Sequence, residues 1–131
     1  MDDNHLFEKF NKEGKLLLPD TTVAFDAVPW SKHPVFEGVE LKHIVTSEET
    51  NGQFSFHLVR IAPNQKIGNH THEKQLETHE VISGAGVCRN NGVELPHEAG
   101  VISIFPIGVP HEVIAGSDGL SLFAKFMPAL C

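Results

Sequence analysis

Short segments in which apolar and polar residues alternate make up most of the chain after residue 20. Residues 39–46 and 54–61 place apolar side chains at every second position over part of their length, which is the period of a half-buried strand. Between them, Asn51 and Gly52 form a dipeptide that tolerates positive φ and favours a hairpin turn. The other predicted strands cover residues 21–28, 81–82, 87–89, 93–95, 101–105, 112–115 and 120–127, with turns at 84–86, 90–92 and 116–119. Many short strands separated by turn signals predict an all-β sandwich or barrel.

The first 18 residues follow a different pattern. Three apolar residues have helical spacing: Leu6, Phe7 and Phe10. Asp2 or Asn4 is a candidate N-cap, and Gly14 lies where a helix commonly stops, so we expect one short N-terminal helix. Its apolar stripe is expected to pack onto the domain or onto a partner subunit. After residue 20 the sequence predicts no further helix.

The length and charge of the chain limit the kinds of protein that it can be. A chain of 131 residues, 40% of them hydrophobic, suits one domain with one core. The formal charge of −7 argues against a nucleic-acid partner, which would need a basic surface. No apolar stretch reaches the roughly 20 residues of a membrane span, and no signal peptide is recognisable. We therefore expect no membrane partner and a cytoplasmic protein.

The two cysteines are too few for a disulfide framework. We expect Cys88 and Cys131 to be reduced thiols, as in a cytoplasmic protein. Cys88 would be a soft ligand if a metal lay close to it, but a small core residue is the more common role.

One segment concentrates the residues with candidate chemistry. His70 and His72 are two residues apart, so on an extended strand both imidazoles point to the same side, and Glu77 follows closely enough to return a carboxylate to them. Imidazoles with a carboxylate favour a first-row transition metal rather than calcium. Since the chain has nine histidines, a chance pair on a solvated strand is the alternative.

A second segment, residues 100–111, offers a further imidazole. Pro106 ends the predicted strand, Gly108 allows a tight bend, and Pro110 stiffens the residue before His111. This arrangement presents His111 rigidly at the start of the next strand, as a candidate fourth ligand. An ordinary proline–glycine loop with a surface histidine is the alternative.

Together the two segments resemble the two motifs of the cupin superfamily. In the first motif, His70, His72, Glu77 and Gly84 have the family's spacing, and Asn64 replaces the leading glycine. Because asparagine adopts the left-handed conformation more readily than most residues, we expect that turn to be kept. In the second motif, Gly100, Pro106, Gly108 and His111 match, and Ala115 replaces a final asparagine that is not a ligand in the family.

The resemblance implies a double-stranded β-helix, the jelly-roll cupin barrel, with a short N-terminal helix. It also implies that one divalent transition metal, Fe, Mn, Ni, Zn or Cu, is held by His70, His72, Glu77 and His111. We expect a single domain over residues 1–131, in which residues 1–45 form the helix, an arm and flanking strands, and residues 46–131 form the barrel core with both motifs.

Other side chains are secondary candidates. His79 shares strand parity with Glu77 and is a candidate catalytic base, fifth ligand or donor to a ligand, or a structural histidine. Candidate substrate-binding residues are His57, Arg60, Phe105 and Phe123. His57 and Arg60 have opposite parity, so without a bulge only one can face inward, and for Arg60 an outward salt bridge is the alternative. For the two phenylalanines the alternative is core packing. The remaining histidines are assigned to loops or the surface: His5, His33, His43 and His97.

Two classes of function remain open from the sequence. Four ligands leave two positions of an octahedral ion for a small molecule, and a site with one carboxylate keeps net positive charge, which suits a carboxylate, enol or vicinal oxygens. The first class is a metal-dependent enzyme, a dioxygenase, isomerase or lyase. The second is a non-catalytic protein that binds a sugar or organic acid. We expect a homodimer in either case.

Overall fold

The computed structural model describes residues 3–131, without the side chains of Asp3 and Asn4. The helices are α1 (Asp3–Glu13) and α2 (Ser47–Thr50), with a 3-10 turn at Phe25–Ala27. The strands are β1 (Lys15–Leu17), β2 (Thr22–Ala24), β3 (Trp30–Lys32), β4 (Val39–Val45), β5 (Ser55–Ile61), β6 (Lys66–His70), β7 (Leu76–Asn90), β8 (Val93–Glu98), β9 (Ile102–Phe105) and β10 (His111–Met127).

The strands form the predicted all-β jelly roll. Eight of them make one antiparallel sheet with the order β3-β4-β5-β10-β7-β8, in which β6 also pairs with β10 and β9 also pairs with β7. The short strands β1 and β2 form a separate hairpin. Because β3 and β4 belong to the larger sheet, that sheet begins before residue 46; the single-domain division itself stays a prediction.

Two long strands replace predicted short ones. The predicted turns at 84–86 and 116–119 were wrong, since β7 and β10 continue through them and pair from His111 opposite Asn90 to Met127 opposite Leu76. The register shifts between Ala115 and Leu120, so the glycines mark a bulge rather than an end. A Cβ on Gly84 would lie 2.1 Å from the Gly119 carbonyl oxygen, which explains why a side chain is missing there.

Two apolar clusters lie on opposite faces of the sheet. Leu58 and Val59 are neighbours on β5 but belong to different clusters, as the alternation of side chains along a strand requires. The Val59 cluster lies inside the barrel. The Leu58 cluster lies outside it and includes Phe7 of α1, which is only 1% exposed and packs against Trp30.

The N-terminal helix is confirmed, and its stripe packs onto the domain. It ends at Glu13, and the Gly14 amide donates to the Phe10 oxygen at 2.9 Å. Asp2, one of the two candidate caps, lies outside the described residues, and Asn4 falls within the helix.

The expectation of no later helix was wrong at two places. The 3-10 turn Phe25–Ala27 cuts short the strand predicted at 21–28. The helix α2 precedes the predicted turn, and Thr46 and Glu49 form its capping box. Asn51 and Gly52 do have positive φ, 54° and 79°, as predicted.

The described helices include none that is long and apolar enough to cross a membrane. Cys88 and Cys131 are both free, and Cys88 is a fully buried core residue as expected. Burial raises the pKa of the Cys88 thiol to about 11, so this thiol holds its proton at neutral pH.

Candidate metal centre

The jelly roll brings four side chains from four places in the chain to one point. His70 is the last residue of β6, and His111 is the first residue of β10 and pairs with it. His72 lies in the loop between β6 and β7, where the Gly108 amide donates to the His72 oxygen at 2.9 Å. Glu77 is the second residue of β7, and its carboxylate reaches the His111 ring. Ligand atoms from these four residues all lie within 4.8 Å of one another.

The turns that carry this geometry have the backbone expected of them. Asn64, which stands at the first motif's glycine position, has a φ of 64°, so the predicted left-handed turn is confirmed. Gly108, with a φ of 77°, allows the bend before His111.

The nitrogens and the carboxylate meet at hydrogen-bonding distance. His70 Nε2 lies 3.2 Å from His72 Nε2, and His111 Nε2 lies 2.9 Å from Glu77 Oε1. His72 Nε2 is 3.3 Å from the same carboxylate oxygen. Three imidazole Nε2 atoms and one carboxylate oxygen therefore face a common centre, which is the donor set of a first-row transition metal.

Backbone carbonyls orient two of these imidazoles. His70 Nδ1 lies 2.8 Å from the Gly68 oxygen, and His111 Nδ1 lies 3.2 Å from the Val109 oxygen. Each Nδ1 therefore donates its proton to a carbonyl, and Nε2 directs a lone pair at the centre. Facing lone pairs repel unless a cation lies between them. That cation is a proton when no metal is bound, so the residues present fit a metal ion that displaces protons.

The carboxylate of Glu77 is buried and ionised. It is 5% exposed, and His79 Nε2 lies 2.7 Å from Glu77 Oε2 while His111 reaches Oε1. Burial alone would raise the pKa of this carboxyl, but His79 and His111 outweigh burial and hold the pKa far below its ordinary value. One oxygen is thus fixed by His79, and the other is left for the centre.

Burial also favours neutral ligands among the histidines. Desolvation lowers the pKa of His70 and of His72 below its usual value, with the neighbouring imidazoles as a smaller cause. Both rings are therefore neutral at pH 7, which is the form that binds a metal.

A cavity of about 480 Å³ opens onto three of the four side chains, namely His70, His72 and Glu77. Its walls are largely apolar, and the main contributors are Val35, Phe36, Leu41, Ile67, Phe126 and Leu130. Phe36 lies 5.8 Å from the His70 ring and Phe126 lies 5.1 Å from the His72 ring, measured between centroids. The site is thus a small polar centre at one side of an apolar chamber.

The secondary candidates lie in different surroundings. Phe105 stacks on the His111 ring at 4.3 Å and packs against His79, so it supports the ligands from behind. Phe123 belongs to the outer cluster with Phe7. Arg60 is also on the outer face, where its Nε lies 3.0 Å from Glu40 Oε1 and its guanidinium lies over Trp30. Neither Phe123 nor Arg60 lines the cavity.

Two histidines that we assigned to loops or the surface lie on strands instead, with their side chains at least partly buried. His97 on β8 is fully buried, and His43 on β4 lines the cavity, so the assignment was wrong for both. The register of β4 against β5 places His43 directly opposite His57, which is itself fully buried. His5 is exposed on α1 as expected, and His33 lies in a loop as expected but also lines the cavity.

Sequence comparison agrees with the geometry. A sequence profile of the cupin domain matches residues 57–123, which is just over half of the chain and includes all four convergent residues. The chain is a cupin. The predicted membership of this superfamily is therefore confirmed, and with it the jelly-roll fold.

Individual relatives of this cupin are distant. An oxalate-binding protein of Thermotoga maritima is 28% identical over 76 residues, which are 57% of this chain and 63% of the relative. The chain thus spans less than two thirds of that relative's length.

Two solved structures share the fold. A protein of Thermotoga maritima described as a predicted oxalate decarboxylase has a TM-score of 0.72 at 22% identity, over 79% of this chain and 95% of that one. The polyketide cyclase RemF of Streptomyces resistomycificus has a TM-score of 0.69 at 18% identity, over 81% and 77% of the two chains. At these identities the likeness extends to the fold alone.

Proposed function

We propose that this cupin binds one divalent transition metal through His70, His72, Glu77 and His111. The observation that carries the proposal is the meeting of three imidazole Nε2 atoms and one carboxylate oxygen at a single point, where the ligand atoms of all four residues lie within 4.8 Å of one another. Fe, Mn, Ni, Zn and Cu all accept this donor set, so the choice of metal is left to measurement.

The substrate that suits the cavity has a chelating oxygen head and an apolar body. An octahedral ion on four protein ligands keeps two positions, which a carboxylate with a neighbouring oxo, enol or hydroxyl oxygen fills as a pair. A cavity of about 480 Å³ is far larger than such a head alone, and its walls are apolar. The distant oxalate-binding relative supports a chelating oxygen head in the substrate, but it does not support an apolar body.

The reaction that we propose is metal-assisted, of the dioxygenase, isomerase or lyase kind. A bound metal would polarise a carbonyl or hydroxyl of the substrate. The protein's own residues hold the substrate and orient the metal ligands. Phe36 and Phe126 bound the chamber in which the substrate lies, and His79 fixes the carboxylate of Glu77.

A non-catalytic binding protein is the second candidate. One observation favours it: His79, the acid–base group adjacent to the ligands, already has its Nε2 bonded to Glu77, so that nitrogen is not free to take a proton from a substrate.

Metal content tests the first proposal. The wild-type protein, purified without added metal, is compared by elemental analysis with His72→Ala. We expect the variant to lose one equivalent of transition metal per chain. His5→Ala is the matched control, because it removes an exposed histidine on α1. Equal metal in wild type and His72→Ala would exclude the site.

Calorimetry of the metal-loaded protein tests the substrate class. Pyruvate, 2-oxobutanoate and 4-methyl-2-oxopentanoate share a chelating 2-oxo-carboxylate head and differ in their apolar body. If the chamber buries the body, each buried methylene adds about 0.8 kcal/mol, which is about fourfold in affinity. Equal affinity for all three would contradict an apolar chamber ligand, and no binding of any would contradict the chelating head.

We further propose a homodimer in a reducing compartment such as the cytoplasm, without a nucleic-acid partner. The strand β9 pairs with β7 and exposes Ile102 and Ile104, which are 69% and 56% accessible, so this edge favours a second copy. Light scattering at micromolar concentration should give twice the chain mass, and Ile104→Lys should halve it. A monomeric wild type would refute the dimer.

A further inference from the structure

A second group of metal-type ligands lies outside the four-residue centre. His43 on β4, His57 on β5 and Cys131 each place one ligand atom within 4.8 Å of the other two. We propose that these three residues form a second, sulfur-containing site for a divalent metal of the zinc type. The proposal does not depend on the first centre, because the two sites share no ligand.

Hydrogen bonds hold the segment that contains Cys131 against the rest of the fold. The Ser47 amide and hydroxyl both donate to the Cys131 oxygen, at 2.7 and 2.9 Å. The Leu130 amide donates to Ser55 Oγ at 2.8 Å, and the Ala129 amide donates to the Gly52 oxygen at 3.1 Å. Three consecutive residues are thus fixed to α2, the turn after it and the start of β5, which keeps the thiol beside the two imidazoles.

The two imidazoles face each other through the same nitrogen. His43 Nδ1 lies 2.8 Å from His57 Nδ1, and their rings are nearly perpendicular, at 89°. At the other side of its ring, His57 Nε2 lies 2.8 Å from Ser55 Oγ. Metal-bound histidines commonly donate their second N–H to such an oxygen, which fixes the ring and leaves the first nitrogen with its lone pair.

The spacing suits a tetrahedral ion after a small adjustment. Zinc–nitrogen bonds of about 2.0–2.1 Å place two ligand nitrogens about 3.3 Å apart, so the pair must open by about half an ångström. The exposed Cys131 side chain can rotate toward the nitrogens. Three protein ligands, two of nitrogen and one of sulfur, leave one tetrahedral position for water.

Phe126 contacts a member of each group. The centroid of its ring lies 5.6 Å from that of His57 and 5.1 Å from that of His72. The two groups also differ chemically, because His70, His72, Glu77 and His111 include no sulfur. A thiolate signal therefore reports on the second site alone.

Cobalt(II) is the probe that uses this difference. Apo-protein kept under a non-thiol reductant is titrated with cobalt, and the near-ultraviolet thiolate-to-cobalt charge-transfer absorption is recorded. We expect the band in wild type and in His72→Ala, and its loss in Cys131→Ser and in His43→Ala. Cys88→Ala is the matched control and should keep the band, because Cys88 is fully buried in the barrel core.

Zinc stoichiometry gives an independent readout. Wild type should bind one more zinc per chain than Cys131→Ser, and this difference persists in a His72→Ala background even if the first centre takes no metal. Absence of the band in wild type would overturn the proposal and leave the imidazoles as a simple hydrogen-bonded pair. Persistence of the band in Cys131→Ser, or its loss in Cys88→Ala, would overturn it too.

Discussion

The contact between His79 and Glu77 should set the metal affinity of the first centre, although His79 is not one of its four ligands. His79 Nε2 holds Glu77 Oε2 at 2.7 Å, and the other oxygen of this carboxylate faces the imidazoles. His79 is 1% exposed and Phe105 packs on its ring, so its orientation is fixed. Replacing His79 by leucine keeps the apolar volume but removes the donor.

Loss of this single hydrogen bond should lower the metal affinity of the first centre. Removing a partner of a metal ligand typically lowers metal affinity by about 10- to 100-fold. At a free metal concentration of about 1,000 times the wild-type Kd, binding stabilises the folded state by about 4.1 kcal/mol. A variant that binds about 30-fold more weakly would gain only about 2 kcal/mol at the same concentration.

Thermal unfolding with and without metal measures this difference. The measurements use zinc at a buffered free concentration in a Cys131→Ser background, so that only the first centre is titrated. The metal-free stability of His79→Leu is recorded separately, because the lost hydrogen bond to a buried carboxylate lowers it by about 1–3 kcal/mol. His79→Gln is the matched variant, since its amide can reach the position of Nε2.

Two outcomes would refute the reasoning. If His79→Leu keeps the full stabilisation by zinc, the hydrogen bond does not prepare Glu77 for the metal. If His79→Gln is as weak as His79→Leu, packing of the imidazole rather than its donor is the cause.

Three further predictions concern stability. Burial is the main cause that lowers the pKa of His97 to about 4, below the pKa of a histidine in the unfolded chain. Unfolding therefore takes up a proton between pH 6.5 and 4, and the free energy of unfolding falls as the pH falls through this range. His97→Leu should flatten this pH dependence in urea titrations of the apo-protein. Gly86→Ala should cost more than about 2 kcal/mol, because its Cβ would lie 2.1 Å from the Ile114 oxygen. Phe7→Ala should cost about 3–5 kcal/mol by urea unfolding, whereas Leu6→Ala, at a position 45% exposed, should cost less than about 1.

The meeting of His70, His72, Glu77 and His111 was predictable from the sequence because short-range features determine most of it. His70 and His72 are separated by one residue, and the bends at Asn64 and Gly108 are specified by residue types that accept positive φ. The long-range step, from Glu77 to His111, required the resemblance of both motifs to one family. Residue spacing alone does not say which strands are neighbours.

The two long strands were predicted as short ones for a physical reason. Glycine has the same signature in a turn and in a bulge, because both use its backbone freedom. Gly84 and Gly119 have positive φ and lie against each other in β7 and β10. The two strands therefore bend together, and their pairing resumes beyond the glycines. A single sequence does not record that the two glycines face each other.

The second histidine group was missed because its register depends on α2. A two-residue turn at Asn51 and Gly52 would have paired His43 with Arg60. The helix Ser47–Thr50 instead shifts the pairing of β4 with β5, so that His43 lies opposite His57. Paired residues of an antiparallel sheet share a face, and the shift therefore sends His57 inward and Arg60 outward to Glu40. The capping box of one four-residue helix thus decides whether an imidazole or a guanidinium faces the barrel beside His43, and with it whether the second metal site can exist.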